Sequence, residues 1–410
     1  MKIVFGLIFL AFTFANAITL DEVIQIAKER SLKIKITEKD LEKVYQTIRE
    51  VKSNIYPHLT LEASYQKVDP NYITGLSLKN RYRASIKIKQ KIFDKAVFES
   101  LKVARENIKL QQAIKEDTVV KVIDTAKRLY IASLYYKYIM QERKRSLEYW
   151  RKYFYFVENQ FKIGLTNKYN YYRTKSQLKL AQAQYKKALY DYKKSLIQMK
   201  RFLFLKKIEE PEGKLKILSL DIPDENSLIN NTELNVIAQT IKVKNREKFF
   251  YKASNWPKLN LNLSYETYNT RDFPSLKETW RKGYVITVSL NWNIFDGFKT
   301  QSKVMQSDLE KVKEELKYKD KLNQLREKYE TDIEDLKALI NQEEAYKDSV
   351  KSAQEALNLA TEQYKYGLSS IIDVLDAEKN YRNNKINYAT IIYQINLKIF
   401  DLQLLSGDIE

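Results

Sequence analysis

Reactive side chains are few in this sequence. It contains no Cys and one His, His58, which removes thiol nucleophiles, disulfides, Cys-containing zinc sites and every multi-His metal site. No nucleophile, base and orienting group stand together in a pattern that would support covalent catalysis, so no catalytic residue, metal or cofactor is expected and an extracytoplasmic enzyme is excluded. His58 itself opens an alternating segment and reads as a surface or interface residue. The remaining candidates are charges. Ser370-x-x-Asp373 has capping-box spacing, in which hydroxyl and carboxylate satisfy free amides of a first helical turn. Asp376 follows where the positive end of that helix favours an anion. Arg83, Lys87, Lys89 and Lys91 alternate with apolar residues, so an extended strand would gather them on one face. If that face lined a channel it would favour anions.

The formal charge is +20, from 72 basic and 52 acidic residues, which raises the question of an anionic partner. Its distribution answers: Lys and Arg are interleaved with Glu along the chain, as in KVKEELKYKDKL at 311–322, with no basic block. Nucleic acid is not an expected partner. Extensive ion pairing of the kind found in heat-adapted proteins accounts for the same composition.

The elements that must position these residues are long. Eight Gly and six Pro in 410 residues leave few breakers, and 44% hydrophobic residues with 30 Tyr exclude intrinsic disorder. Lys2 precedes an apolar run from Ile3 to Phe14, and Ala15-Asn16-Ala17 then gives the small-x-small pattern of a cleavage site. Residues 1–17 are therefore expected to be a signal peptide. A run that short spans about 18 Å as a helix, against about 30 Å of hydrocarbon. No later run reaches transmembrane length, so entry into a membrane requires a β-barrel.

The chain also repeats. Tyr56-Pro57-His58-Leu59-Thr60-Leu61-Glu62-Ala63-Ser64-Tyr65 aligns with Trp256-Pro257-Lys258-Leu259-Asn260-Leu261-Asn262-Leu263-Ser264-Tyr265, Ile92-Phe93-Asp94 with Ile294-Phe295-Asp296, and Gln160-Phe161-Lys162-Ile163-Gly164-Leu165-Thr166 with Gln363-Tyr364-Lys365-Tyr366-Gly367-Leu368-Ser369. Two copies of one long unit imply a duplicated domain with internal pseudo-symmetry. The first is expected over 18–205, an irregular connection over 206–230 and the second over 231–410.

Within each copy the apolar period switches from helix to strand and back. Period-two segments predict strands at about 57–66 and 81–93, then at about 257–268 and 283–295. One face of each is apolar, the other polar, and Tyr and Trp cluster near the ends, as in transmembrane barrel staves. A small soluble sheet packed on helices gives the same alternation. Four strands cannot close a membrane barrel, so in the barrel reading several chains share one. Residues 95–162 and 299–365 contain neither Gly nor Pro. Val350, Ala353, Leu357, Ala360 and Tyr364 step by three and four, a coiled-coil seam. Each stretch ends at a lone glycine, Gly164 or Gly367, followed by Thr166-Asn167 or Ser369-Ser370. Glycine C-cap followed by a new N-cap predicts tight helical hairpins with tips at 164–167 and 366–370.

At this point the sequence resembles the TolC family of outer-membrane efflux proteins. The resemblance rests on Ile18-Thr19-Leu20-Asp21-Glu22-Val23-Ile24, the aromatic-Pro strand openers, the Phe-Asp strand exits at Phe93-Asp94 and Phe295-Asp296-Gly297, and the run from Tyr364 to Glu378. It covers essentially the whole chain after the leader. It implies a mainly α protein with a small transmembrane β part: a homotrimer sharing a twelve-stranded barrel, with a long coiled-coil helical barrel crossing the periplasm. It implies an exit duct without catalytic activity, in outer-membrane lipid, with a periplasmic adaptor and an inner-membrane pump as partners. It places the closed entrance at the hairpin tips, where Asp373 and Asp376 would become rings of three carboxylates that attract cations, and Tyr364 would make restraining contacts. Ser369 stands where some members carry an arginine, and Asn170 where the first copy would carry an aspartate, so an ionic latch is not expected in that form. The rival reading from another class is a soluble periplasmic coiled-coil scaffold without membrane insertion.

Overall fold

The structure is a computed structural model that describes residues 17–75 and 77–407. The expected leader lies outside the described residues except for Ala17. The elements, in order, are β1 (Ala17–Ile18), α1 (Leu20–Arg30), α2 (Leu32–Ser53), β2 (His58–Lys67), β3 (Asn80–Phe93), α3 (Lys95–Lys162), α4 (Lys168–Phe202), β4 (Glu210–Pro211), α5 (Thr232–Lys252), β5 (Lys258–Arg271), β6 (Glu278–Asn291), α6 (Lys299–Lys365) and α7 (Ile371–Ser406). At 1.5 Å per residue α3 and α6 are each about 100 Å long.

Local chemistry sets these boundaries. Thr19 caps α1: the Glu22 amide donates to its hydroxyl at 3.3 Å, and its own amide donates to Glu22 Oε2 at 2.9 Å. Both Phe-Asp exits start helices. The Ala96 amide donates to Asp94 Oδ1 at 3.1 Å ahead of α3, and the Thr300 amide to Asp296 Oδ2 at 2.9 Å ahead of α6.

The chain forms two compact units, each drawing on both sequence repeats. One comprises the described residues of Met1–Lys35, Asp117–Thr232 and Leu322–Glu410, the other Ile36–Glu116 and Glu233–Lys321. The first is helical. Its core gathers Val23, Ala27, Ile131, Leu196, Met199 and Phe400 in one cluster, and Trp150, Val157, Leu178, Ile371 and Val374 in another. The connection after α4 is tied to this unit by side chains. Asn396, fully buried, accepts from the Leu218 amide at 3.0 Å and donates to the Lys216 carbonyl at 3.0 Å, while the Tyr130 hydroxyl donates to the Glu212 carbonyl at 2.6 Å. β1 and β4 add a short parallel bridge beside it.

The second unit holds a four-stranded antiparallel sheet in the order β2-β3-β5-β6. Its registers join apolar residues into rows across all four strands: Leu61, Ile86, Tyr265 and Tyr284 form one, Leu59, Ile88, Leu263 and Ile286 the next. The face is largely open, with Leu61 at 76% and Tyr284 at 77% exposure. A β-bulge between Lys91 and Phe93 brings Phe93, rather than Ile92, opposite Leu259.

β6 differs from the strand expected over about 283–295. It starts earlier because Glu278 and Trp280 pair with Arg271 and Asn269 beyond the alternating stretch. It stops at Asn291 because its partner β5 begins at Lys258, so the alternation from Trp292 to Phe295 has no strand to bond.

Candidate functional site

Both hairpin tips close by the same geometry. At the α3–α4 turn the Leu165 amide donates to the Gln160 carbonyl at 2.8 Å and the Gly164 amide to the Phe161 carbonyl at 3.2 Å. At the α6–α7 turn Leu368 bonds Gln363 at 2.9 Å and Gly367 bonds Tyr364 at 3.0 Å. These paired bonds form a Schellman motif, which requires a left-handed residue. Gly164 has φ +76° and Gly367 has φ +72°. Four large apolar side chains, Ile163, Leu165, Tyr366 and Leu368, are exposed on these turns.

The caps that follow differ in charge. The Asp373 amide donates to the Ser370 hydroxyl at 3.3 Å, and the Ser370 amide returns a bond to Asp373 Oδ2 at 2.7 Å. The backbone bond, then the hydroxyl, hold the Asp373 carboxyl below its ordinary pKa. In the first hairpin Asn167 caps, accepting from the Asn170 amide at 2.9 Å. Asn170 donates its side-chain amide to the Thr166 hydroxyl at 3.1 Å. Ser369 donates back to the Ala360 carbonyl at 3.3 Å.

The two aspartates stand in different surroundings. Asp376 is exposed and lines an open cleft of about 860 Å³ with Lys168, Tyr169, Tyr172, Arg173 and Lys379; Asp373 is not among its walls. Tyr364 is half-buried, its ring 5.7 Å from that of Tyr153. Burial raises the pKa of its hydroxyl, against opposing contributions from Thr166 and Tyr153. Its immediate contacts therefore lie within the chain's own helical core.

Just behind the second tip is an ionic network that inspection of the sequence did not single out. Glu142 of α3 and Glu378 of α7 are 1% and 2% exposed. Arg382 bridges them, with Nη1 3.0 Å from Glu142 Oε2 and Nε 3.0 Å from Glu378 Oε1. Lys385 reaches Glu142 at 3.1 Å, and Arg145 pairs with the same carboxylate. Ser146 and Trp150 donate to Glu378 at 2.8 and 3.2 Å. The local signals were the Glu378–Arg382 and Glu142–Arg145 spacings of about one helical turn; Glu142 lies 236 residues before Glu378.

On the polar face of the sheet, Arg83, Lys87, Lys89 and Lys91 occupy alternate positions of β3. Two of them meet acids from neighbouring strands: Lys87 pairs with Glu62, and Arg83 lies 4.0 Å from Glu266. Lys91 donates to Asn54 at 3.2 Å. Cross-strand carboxylates thus offset part of a face that reads as uniformly basic on β3 alone.

Aromatic residues mark both ends of the sheet. Tyr82 lies between Tyr65 at 5.0 Å and Trp280 at 6.1 Å, centroid to centroid. At the other end Trp256 and Trp292 are exposed, with Trp292 Nε1 donating to the Asn255 carbonyl at 3.0 Å. From Trp280 to Trp292 the chain advances about 40 Å at 3.4 Å per residue, or about 30 Å along a barrel axis at a tilt of about 40°. That spacing matches an apolar band bounded by two interfacial belts.

A sequence model of the family described as outer membrane efflux protein matches residues 23–203 and 225–408. Among solved structures, the chain is similar to CusC, with TM-score 0.80, 14% identity and coverage of 95% of this chain and 92% of that one. It is similar to the CmeC outer membrane channel of Campylobacter jejuni (TM-score 0.79, 17% identity, 95% and 85% covered). The outer membrane protein VceC of Vibrio cholerae gives TM-score 0.79, 15% identity, and 95% and 96% covered. At such identities the likeness shows the fold. No curated protein sequence matches the chain.

Proposed function

We infer, from the fact that the chain belongs to the outer membrane efflux protein family, that this is the exit duct of a tripartite export system, located in the outer membrane and extending into the periplasm. The observation that carries the mechanism is the sheet. It has one apolar, exposed face and two unpaired edges, β2 and β6. In lipid an open edge is untenable, because each unbonded amide and carbonyl costs several kcal/mol, on the order of a lost hydrogen bond in hydrocarbon. Since β2 and β6 run antiparallel to one another, β6 of one copy can pair antiparallel with β2 of the next and continue the ladder. Copies joined head to tail in this way close into a ring.

Three copies give twelve strands, the number the resemblance implies, and we assign the assembly as a homotrimer in outer-membrane lipid. A second exposed surface supports association between copies. Met305, Leu309, Val312 and Leu316 on α6 are all exposed and step by four, three and four, the spacing of an unfilled coiled-coil seam. The apolar sheet face then meets lipid and the polar face lines the lumen. A periplasmic adaptor and an inner-membrane pump supply substrate from below. The tips around Gly164 and Gly367 form the entrance, with Asp373 and Asp376 repeated around it, and nothing in the duct performs catalysis.

Conductance across a planar bilayer tests this reading. The detergent-purified chain is expected to form discrete, cation-sensitive channels that Asp373→Ala/Asp376→Ala alters. Channels indifferent to that change would reduce both aspartates to helix capping. A chain that stays soluble without detergent and forms no channels would sink the duct and favour the periplasmic scaffold.

A further inference from the structure

At the foot of the sheet, where β5 begins and β6 ends, a cleft of about 690 Å³ opens between the strand ends and the start of α6. Its walls include Trp256, Lys258, Trp292, Asp296, Lys299 and Lys303. The three lysines converge from two elements: Lys258 opens β5, and Lys299 and Lys303 lie one turn apart on α6. Among the described residues none of the three makes an ion pair. Lys303 instead stands 5.7 Å over the Tyr251 ring. A fourth ammonium, Lys95, lies 4.7 Å over the Trp256 ring. The one carboxylate in the walls is already engaged, since Asp296 accepts from the Thr300 amide at 2.9 Å and the Thr300 hydroxyl at 2.6 Å. The cleft therefore sets three ammonium groups against one carboxylate among the described residues, an excess of positive charge.

Its position gives that charge a meaning. Leu290 belongs to the exposed apolar face of β6 and Trp292 follows just past the strand end, whereas Lys258 and Asn291 pair on the polar face, so the cleft lies at the rim where the two faces end. On the duct reading, on which this inference rests, the apolar face meets hydrocarbon and the cleft falls at the level of the lipid headgroups. Indole rings settle at that depth, and lysines beside them meet phosphate oxygens.

We propose that this cleft is a binding site for an anionic phospholipid headgroup, with Lys258, Lys299 and Lys303 holding the phosphate and Trp256 and Trp292 flanking it. The ligand chemistry is a phosphate ester, and the acyl chains lie along the apolar face.

Native mass spectrometry of the full chain in nonionic detergent tests this, using equimolar phosphatidylglycerol and phosphatidylcholine. Phosphatidylglycerol is expected to bind preferentially, and Lys258→Gln/Lys299→Gln/Lys303→Gln to weaken it on the order of 100-fold, from the usual contribution of each lysine near an anionic headgroup. The charge-keeping change of the same three residues to Arg retains binding, which separates the site from a folding defect. Removing three exposed lysines elsewhere, Lys328→Gln/Lys347→Gln/Lys351→Gln, leaves it unchanged. Equal binding of the two lipids, or a preference that survives the triple Gln change, overturns the proposal. Displacement of phosphatidylglycerol by millimolar inorganic phosphate would assign the site to free phosphate and overturn the lipid as its source. A chain that floats with vesicles and conducts but shows no lipid preference loses only this site. One that fails to float at all loses the duct reading and the site with it.

Discussion

Arg382 of α7 places Nη1 3.0 Å from Oε2 of Glu142 on α3, and that carboxylate is almost wholly removed from water. Such a pair is costly to desolvate, and the attraction repays the cost only when every lone pair is met. Here the two carboxylates are shared among Arg382, Lys385, Arg145, Ser146 and Trp150. The bonds are directional, so they fix the register of α7 against α3 more sharply than the apolar contacts around Trp150 could. This is the support behind the second hairpin tip.

Removing Arg382 alone should therefore be severe. Arg382→Met leaves Glu142 and Glu378 buried with fewer partners, and the expected loss is about 3–5 kcal/mol. Replacing the bridging set together, Glu142→Leu/Glu378→Met/Arg382→Met, should recover much of that loss, because no carboxylate of the pair is then left without its partner. Denaturant unfolding followed by tryptophan fluorescence checks both, since Trp150 sits in the network. Equal losses for the single and the triple change would show that packing, not charge, dominates the site.

The two tip glycines make a different prediction, because nothing lies within 4 Å of the position a Cβ would take at Gly164 or Gly367. Substitution there meets no clash, only the backbone cost of a positive φ. Gly367→Ala is expected to destabilise the hairpin by about 1 kcal/mol, and Gly367→Asn by less, since Asn tolerates the left-handed region. The same ordering should hold at Gly164. A larger loss for Asn than for Ala, read from thermal unfolding, would mean that these turns are held by contacts rather than by φ.

Much of this architecture was legible because it is written in period and punctuation. The steps of two at Leu59, Leu61, Ala63 and Tyr65, the helical run after Asp94 and the glycine at each hairpin are local signals, and local signals survive without a partner. What the sequence hid depends on distant pairs. Arg83 and Lys87 look like bare positive charge along β3, but Glu266 and Glu62 arrive from β5 and β2 only once the registers are set. The Glu142–Arg382 pair spans 240 residues, and Asn396 gives no hint that it will hold the backbone at Leu218. The strand end at Asn291 was missed for the same reason: alternation continues past it, and only the length of β5 shows that pairing does not.

The capping box at Ser370 sets a pH dependence with a definite sign. Asp373 has a lowered pKa in the folded chain because it accepts from Ser370. Its contribution is fully present above the ordinary carboxylate value of about 4 and is lost as pH falls through the lower folded value. No change is expected from this group between pH 5 and about 8. Ser370→Ala removes the hydroxyl but keeps the backbone bond, so the Asp373 titration, followed by carboxyl carbon resonances, should move part of the way back up. A return to the full ordinary value would show that the backbone bond does not persist without the hydroxyl.

With the polar face lining the duct as proposed, ion selectivity should separate the basic residues of β3 by their partners. Lys87 is paired with Glu62, whereas no acid pairs with Lys89 among the described residues. A paired charge contributes little to the field in the lumen, because its carboxylate cancels it at distances beyond the pair. Lys89→Gln is thus expected to shift the reversal potential under a salt gradient toward cation preference. Lys87→Gln uncovers Glu62 and should shift it as well, while Lys87→Gln/Glu62→Gln, which removes the pair as a unit, should change it by roughly half as much as Lys89→Gln or less. If the double change shifts selectivity as far as Lys89→Gln does, the Lys87–Glu62 pair is open in the working channel, and Lys87 then acts on the passing ion as Lys89 does.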